Sequence, residues 1–183
     1  MQGSFFLRIM KKIFIGISCI LFLLAQAQAQ HRVSFDLAAI RNIHKPINGL
    51  NVSCFYYFNK NLTAGFEVNR FFPVKRKIDD EDIKISAWDI ELNMHYLFSV
   101  YKGLNLYPIA GISHTTDREL NIADGHSRYE SFWSFNTGAG VLWEIGKWSP
   151  HIEYSFAWGQ QNQLFLLAGI SYELELGQKN KEK

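Results

Sequence analysis

The chain has 183 residues, of which 15% are aromatic and 20% are charged, and this length is sufficient for one domain with a sizeable core. Without Arg8, Lys11 and Lys12, which lie in a segment that we expect to be removed, 16 basic residues stand against 17 acidic ones. A nearly neutral mature chain argues against nucleic-acid binding, which requires a basic face.

The N-terminus predicts a cleavable export signal over residues 1–29. Two lysines precede an apolar run from Ile13 to Leu24, and alanines in A-x-A spacing follow the run. Met10 directly precedes the lysines and is an alternative start of translation. The apolar run is short for a helix that spans a bilayer, and no longer run follows it.

Eight segments with alternating apolar and polar residues follow, as expected for β-strands. They cover residues 32–40, 50–58, 62–69, 88–98, 104–113, 132–145, 151–158 and 164–176. The connections after the second, fourth and sixth segments are short, whereas residues 73–86 and 114–131 contain long polar connections. Short turns at one end and long loops at the other are typical of bacterial outer-membrane barrels. We therefore predict one barrel over residues 31–176, followed by a polar tail over residues 177–183.

Aromatic residues recur with ten-residue spacing on three of these stretches. The pairs are Trp88 and Phe98, Trp133 and Trp143, and Trp148 and Trp158. Ten strand residues at about 3.3 Å each, tilted by about 40°, span about 25 Å, which is the height of the apolar band on outer-membrane barrels. We predict that these six residues form the aromatic girdles at the two membrane interfaces.

The opposite faces of the strands carry polar residues that we predict to line the lumen. The ionisable ones are Asp36, Glu67, Asp89, Glu91, His95, Glu144, Glu153 and Glu173. In water the outward surface would be an aggregating apolar patch, whereas in lipid a closed barrel is stable because every backbone group is paired. We expect a polar, water-containing lumen in which Tyr, Ser, Asn and His satisfy the acids; a cation site or a proton path is the functional alternative. No spacing typical of a metal site is present, and we expect no cofactor.

The segment GAGVLWEIGKWSPHIEYSF, together with LFLLAGISYEL, resembles the last three strands of small outer-membrane barrels of the OmpA/OmpX type, especially the "outer membrane beta-barrel" proteins common in Bacteroidota. The resemblance covers roughly residues 31–176 and implies an all-β, eight-stranded antiparallel up-and-down transmembrane β-barrel. It also implies insertion into the outer membrane of a Gram-negative bacterium by the barrel-assembly machinery, among outer-membrane lipids and lipopolysaccharide. In contrast to such chains, the last aromatic residue, Tyr172, is internal rather than terminal.

We expect a structural or adhesion-like role, with residues 73–86 and 114–131 presented to an extracellular partner. An eight-stranded barrel is too narrow for a general pore. Within residues 73–86, the run KRK (75–77) beside DDED (79–82) could bind a divalent ion or lipopolysaccharide phosphates, although a solvated loop is the simpler interpretation.

Two functions of other classes remain open. The first is a lipid-modifying hydrolase, because His151, Glu153 and Ser155 occupy alternate positions of one strand and point the same way. They lie in the inward phase, however, and lack the His-x-Ser-Asn motif of lipid A deacylases, so we expect no enzymatic activity. The second is an exported soluble barrel that binds a ligand.

Overall fold

The computed structural model describes residues 32–78 and 81–176, and the predicted signal segment and polar tail lie outside these ranges. The described chain contains nine β segments. They are β1 (Arg32–Asn42), β2 (Ile47–Tyr57), β3 (Leu62–Ile78), β4 (Glu81–Tyr96), β5 (Phe98–Tyr101), β6 (Leu104–Asn121), β7 (Ser127–Trp143), β8 (Trp148–Gly159) and β9 (Gln163–Glu175). Within the described ranges, no helix is long and apolar enough to cross a membrane.

The segments form a single antiparallel sheet that closes on itself. Each segment pairs with its neighbours in the chain, except that β4 and β5 do not pair with each other and both pair with β6. The pairing of β1 with β9 closes the sheet. β5 continues β4 past a single interruption at Leu97 and pairs with the beginning of β6. β4 and β5 together therefore make one of eight barrel strands.

The register of the pairing fixes the tilt of the strands. A path from Arg32 through directly opposed residues on successive strands returns to β1 at Asn42, ten residues further along the strand. The intermediate residues are Tyr57, Thr63, His95, Ile109, Gly138, Ser155 and Phe165. With about 3.3 Å per residue and about 4.8 Å between strands, a stagger of this size tilts eight strands by about 40°. A barrel of this width is filled by its own side chains.

The polarity of the barrel is inverted relative to a soluble protein. Apolar residues such as Phe35, Leu92 and Ile152 are 51%, 54% and 59% exposed on the outside, whereas Asn51 and Asn69 are each only 1% exposed inside. This surface suits lipid, because the closed sheet leaves no backbone group unpaired in the hydrocarbon. The predicted fold class, an eight-stranded antiparallel up-and-down transmembrane β-barrel, is confirmed.

The two ends of the barrel differ. The end that holds Arg32 and Glu175, called the near end here, has turns at residues 58–61, 102–103 and 144–147. In the turn between β5 and β6, Lys102 and Gly103 both have positive φ, of 34° and 85°. Positive φ at both central residues is the type I′ geometry that matches the twist of a two-residue hairpin. The opposite end is called the far end.

The long connections predicted for the far end are mostly strands rather than loops. β3 continues to Ile78 and β4 starts at Glu81. In the same way, β6 continues to Asn121 and β7 starts at Ser127. Residues 73–86 and 114–131 therefore form two extended hairpins. The outward positions become polar where the lipid ends, but strand pairing continues because water accepts a polar face.

Candidate functional site

The six predicted girdle residues all lie on the outside of the barrel, with Trp88 48% and Trp133 65% exposed and the other four between these values. Trp88, Trp133 and Trp158 lie towards the far end, and Phe98, Trp143 and Trp148 lie at the near end. Two tyrosines extend the near row: Tyr172 packs on Trp148 with ring centroids 4.7 Å apart, and Tyr96 on Phe98 at 4.8 Å. These two tyrosines were not predicted, because the prediction used only aromatic pairs that are ten residues apart in the sequence.

Glu67 and Glu91 lie at the centre of the lumen and are held by side-chain amides. Asn51, Asn69, Asn93 and Asn136 supply the donors. Glu91 accepts three hydrogen bonds, from Asn69 at 2.6 Å, from Asn93 at 2.8 Å and from Asn136 at 2.7 Å. The amides satisfy carboxylate oxygens that would otherwise be costly to bury. Across the described residues, no group of three or more His, Cys, Asp or Glu side chains is arranged to hold a metal ion.

A second polar group lies nearer to the near end. Tyr107 donates a hydrogen bond to Glu153 at 2.8 Å, and the ring of His95 stacks on Tyr107 with centroids 5.0 Å apart. Asp36 accepts a hydrogen bond from Ser53 at 3.1 Å. The cavity between these groups measures about 20 Å³, which is room for about one water molecule.

The remaining predicted lumen acids have different surroundings. Asp89 is 1% exposed, and the hydroxyl of Thr115, directly opposite on β6, interacts with its carboxyl group, although no hydrogen bond of good geometry reaches either carboxyl oxygen among the described residues. Glu173 pairs with Arg32 at 2.9 Å at the near end. Glu144 was predicted to line the lumen, but it is exposed, because β7 ends at Trp143 and Glu144 belongs to the following turn.

Two apolar clusters replace much of the water-containing lumen that the sequence predicted. In the far half, Ile47, Phe71 and Phe165 are buried, and the two phenylalanine rings stack at 5.8 Å. At the near end, Leu97 and Leu142 pack with Tyr57 and other buried residues. Together with the small cavity, the two clusters close the lumen along its length.

The turn between β1 and β2 folds over the far mouth of the barrel. Lys45 in this turn forms an ion pair with Asp117 of β6, and Arg76 of β3 donates a hydrogen bond to the backbone carbonyl of Lys45. Asn42, at the end of β1, donates a hydrogen bond to Gln163 of β9 at 2.5 Å. These contacts tie the turn to three different strands and cover the apolar cluster beneath it.

Beyond this mouth, parts of four strands project as a continuous sheet. We call residues 72–78, 81–87, 115–121 and 127–132 the outer sheet. Their order is β3-β4-β6-β7, and β3 and β7 are its edges because β2 starts at Ile47 and β8 ends at Gly159. The barrel is closed, whereas its extension is open along both sides.

The predicted catalytic candidates are not brought together. Residues four apart on a strand are about 13 Å apart, so His151 and Ser155 are beyond hydrogen-bonding reach of each other. His151 Nδ1 instead lies 3.4 Å from the hydroxyl of Ser171, and Glu153 is bound to Tyr107. The predicted candidates therefore do not place Ser155 beside a base.

Solved structures share this fold at low sequence identity. The chain is similar to the N-terminal barrel domain of OprF from Pseudomonas aeruginosa (16% identity, TM-score 0.61, covering 80% of this chain and 100% of that one). It is also similar to OprG from the same organism (11% identity, TM-score 0.57, covering 82% of this chain and 99% of that one). A third similar structure is Ail, the attachment invasion locus protein of Yersinia pestis, in complex with the heparin analogue sucrose octasulfate (15% identity, TM-score 0.54, covering 78% of this chain and 96% of that one). No family model and no curated protein matches the chain. These likenesses confirm the fold of small outer-membrane barrels.

Proposed function

We propose that the protein is an integral outer-membrane protein with a structural or surface-interaction role, and that its outer sheet meets a partner outside the cell. The outer sheet carries this proposal, because a structural barrel alone does not require four strands to continue past the girdle. Bacterial outer-membrane barrels have short periplasmic turns and long extracellular segments. The near end is accordingly periplasmic and the far end extracellular.

The closed lumen supports a role other than bulk diffusion. In the far half of the lumen, Phe71 is only 1% exposed and Ile47 is fully buried. The turn that contains Lys45 lies above them. We therefore expect the purified protein, reconstituted in planar bilayers, to show no steady conductance of the kind produced by general porins. Stable open-channel steps would contradict this part of the proposal.

The edge of β7 offers a specific means of binding. Residues 127–133 lie beyond the last residue pair with β8, Ser134 with Gly159, so this edge has backbone groups that no barrel strand pairs. An exposed edge can accept an extended segment of another protein by strand addition. The similarity to Ail, a protein named for attachment, also supports a surface-interaction role.

Shortening the β6–β7 hairpin tests this role. Replacing residues 119–128 by Asn-Gly leaves the pair of Arg118 and Tyr129 next to a favoured two-residue turn. We expect cells that display the shortened protein to lose attachment to an epithelial cell layer, measured against cells that display the full chain. The matched control replaces the turn at residues 160–162 by Asn-Gly. Equal attachment by all three strains would contradict a role for the outer sheet.

Membrane residence has its own test. A closed barrel in detergent runs faster on a gel when it is not boiled, so we expect two heat-dependent bands and recovery in the outer-membrane fraction. A single heat-independent band, or a mature chain that stays in solution without detergent, would favour the soluble ligand-binding alternative.

The hydrolase alternative predicts a different result. It requires loss of lipid acyl chains when the protein is expressed, and this loss should disappear in Ser155→Ala. We expect the lipid composition of cells expressing the wild type and the variant to be the same.

A further inference from the structure

A cavity with a charged lining lies at the far mouth of the barrel, on the inward face of the outer sheet. It measures about 100 Å³ and is lined by Lys45, Asp117, Glu119, Arg128, Glu130 and Gln161. The space is larger than one water molecule needs and is sufficient for a short chain of atoms. The lining has three acids against two bases, so it attracts a cation more than an anion.

Two of these acids, Asp117 on β6 and Glu130 on β7, lie directly opposite each other. Directly opposed side chains in an antiparallel pair have Cβ atoms about 5 Å apart, and like charges there are destabilising. Glu119 has a more favourable position, because the residue directly opposite it is Arg128. Neither ion pair among the described residues includes Glu130. A cation between Asp117 and Glu130 would convert their repulsion into attraction.

Asp117 also has a carboxyl oxygen that nothing in the described part of the chain satisfies. The residue is only 6% exposed, and its Oδ2 pairs with the ammonium group of Lys45. Its Oδ1 is buried and has no hydrogen-bond partner among the described residues. A buried carboxylate oxygen without a donor is costly. Because Asp117 lines the cavity, this oxygen is a ready acceptor for a donor that enters from the mouth.

Lys45 indicates which kind of donor the mouth accepts. Its ammonium group pairs with Asp117 and lies 5.8 Å from the ring centroid of the buried Phe132. Such a group is held by charge-assisted hydrogen bonding and by cation–π attraction. A metal ion fits less well, since no group of three or more His, Cys, Asp or Glu side chains in the described ranges is arranged to hold one.

We infer that this cavity binds a short aliphatic diamine. One ammonium group of the ligand donates to Oδ1 of Asp117 and to the carboxylate of Glu130, so that a cation separates the two opposed acids. The other ammonium group lies towards Glu119, which is two residues beyond Asp117 on the same face of β6 and therefore about 7 Å away. The binding does not depend on the attachment role proposed for the outer sheet.

The test follows the backbone amide signals of the isotope-labelled mature barrel by NMR during titration in nonionic detergent micelles. The probes are the four-carbon diamine putrescine and a butanediol with one hydroxyl at each end, which has the same length but no charge. Glu130→Gln removes one proposed acceptor from the half-buried edge of the mouth. The control, Glu175→Gln, removes the same charge from an exposed position at the near end.

We expect putrescine to shift the signals around Asp117 and Glu130 until they saturate, and the diol to shift none of them. Glu130→Gln should bind putrescine about tenfold more weakly than wild type, from the loss of one charge-assisted hydrogen bond. Glu175→Gln should bind as wild type does. Equal shifts with the diamine and the diol, shifts located away from the mouth, or equal binding by the two variants would overturn the inference.

Two further probes separate the diamine from other cations. Calcium chloride supplies a metal ion, and the amide of N-acetyl-lysine stands for a lysine side chain of another protein. We expect both to bind wild type more weakly than putrescine, because the first lacks its set of ligands and the second has a single ammonium group. Tighter binding of either probe would overturn the inference. The comparison of probes needs no variant, so it decides the question even if Glu130→Gln does not fold.

Discussion

The hydroxyl of Tyr107 on β6 donates a hydrogen bond to Oε1 of Glu153 on β8, with the two oxygens 2.8 Å apart. β7 lies between these strands in the sheet, so the bond crosses the interior rather than following the backbone ladder. Both side chains are buried, and His95 stacks on the tyrosine ring from β4. The contact therefore ties three strands together inside the barrel.

Tyr107→Phe should destabilise the barrel. The change leaves a buried carboxyl without its donor, and we expect the free energy of unfolding to fall by about 1–3 kcal/mol. Urea titration of the protein in lipid vesicles measures this value. Tyr129→Phe, at an exposed position on the outer sheet, is the control and should have little effect. A Tyr107→Phe value equal to that of the control would mean that the bond contributes nothing.

Two neighbouring acids of β4 should respond in opposite directions to amide substitution. Glu91→Gln turns an amide nitrogen towards asparagine donors, so we expect a loss of about 1–3 kcal/mol in the free energy of unfolding. Asp89→Asn replaces a buried carboxyl that accepts no hydrogen bond of good geometry among the described residues, so it should be neutral or stabilising. The same urea titration compares them, and the reverse order would contradict the hydrogen bonding described above.

Gly140→Ala should disturb Tyr107 from the neighbouring strand. A Cβ atom at Gly140 would lie 2.3 Å from Cζ of the Tyr107 ring, which no van der Waals contact allows. We expect overpacking to cost about 1–3 kcal/mol, measured as a lower urea midpoint. In a Tyr107→Ala background the ring is absent, and the added cost of Gly140→Ala should shrink. An undiminished cost in that background would assign the effect to the backbone instead.

Lysine substitutions on the outer surface should report membrane depth. Leu92 is 54% exposed midway along β4, and lysine there should lower the free energy of unfolding in bilayers by about 2–4 kcal/mol. Ile122 is 42% exposed in the turn between β6 and β7, and Ile122→Lys should have almost no effect. Equal effects at the two positions would contradict a membrane boundary near Trp88.

Much of the barrel wall could be predicted from the stretch that includes Trp88 and Phe98. Its strict alternation, repeated with the same aromatic spacing on other strands, predicted which residues face outwards. The prediction was less complete for the interior, because Ile109 and Leu142 lie inside as apolar filling among the polar groups. Glu144 was misassigned because alternation does not indicate where a strand ends.

The extent of the far-end strands was also not predictable. Val74, Ile83 and Ile85 alternate there with Lys75 and Lys84, but these apolar residues fall in the inward phase, opposite to that of Trp88, so the pattern that identified the barrel strands does not continue. Their pairing follows from the register that β3 and β4 already share lower in the barrel, with one irregularity between Phe71 and Val74. The charged run at residues 75–77, which the sequence suggests is a loop, is therefore divided between the two faces of the outer sheet.

The sequence by itself determined the inverted polarity, because side-chain alternation is a local property of an extended backbone and needs no knowledge of neighbouring strands. Only the tertiary structure decided which polar groups meet, such as Tyr107 with Glu153 and Lys75 with Lys84. Those meetings depend on the ten-residue stagger set by closing eight strands into a ring, and closure involves every strand at once.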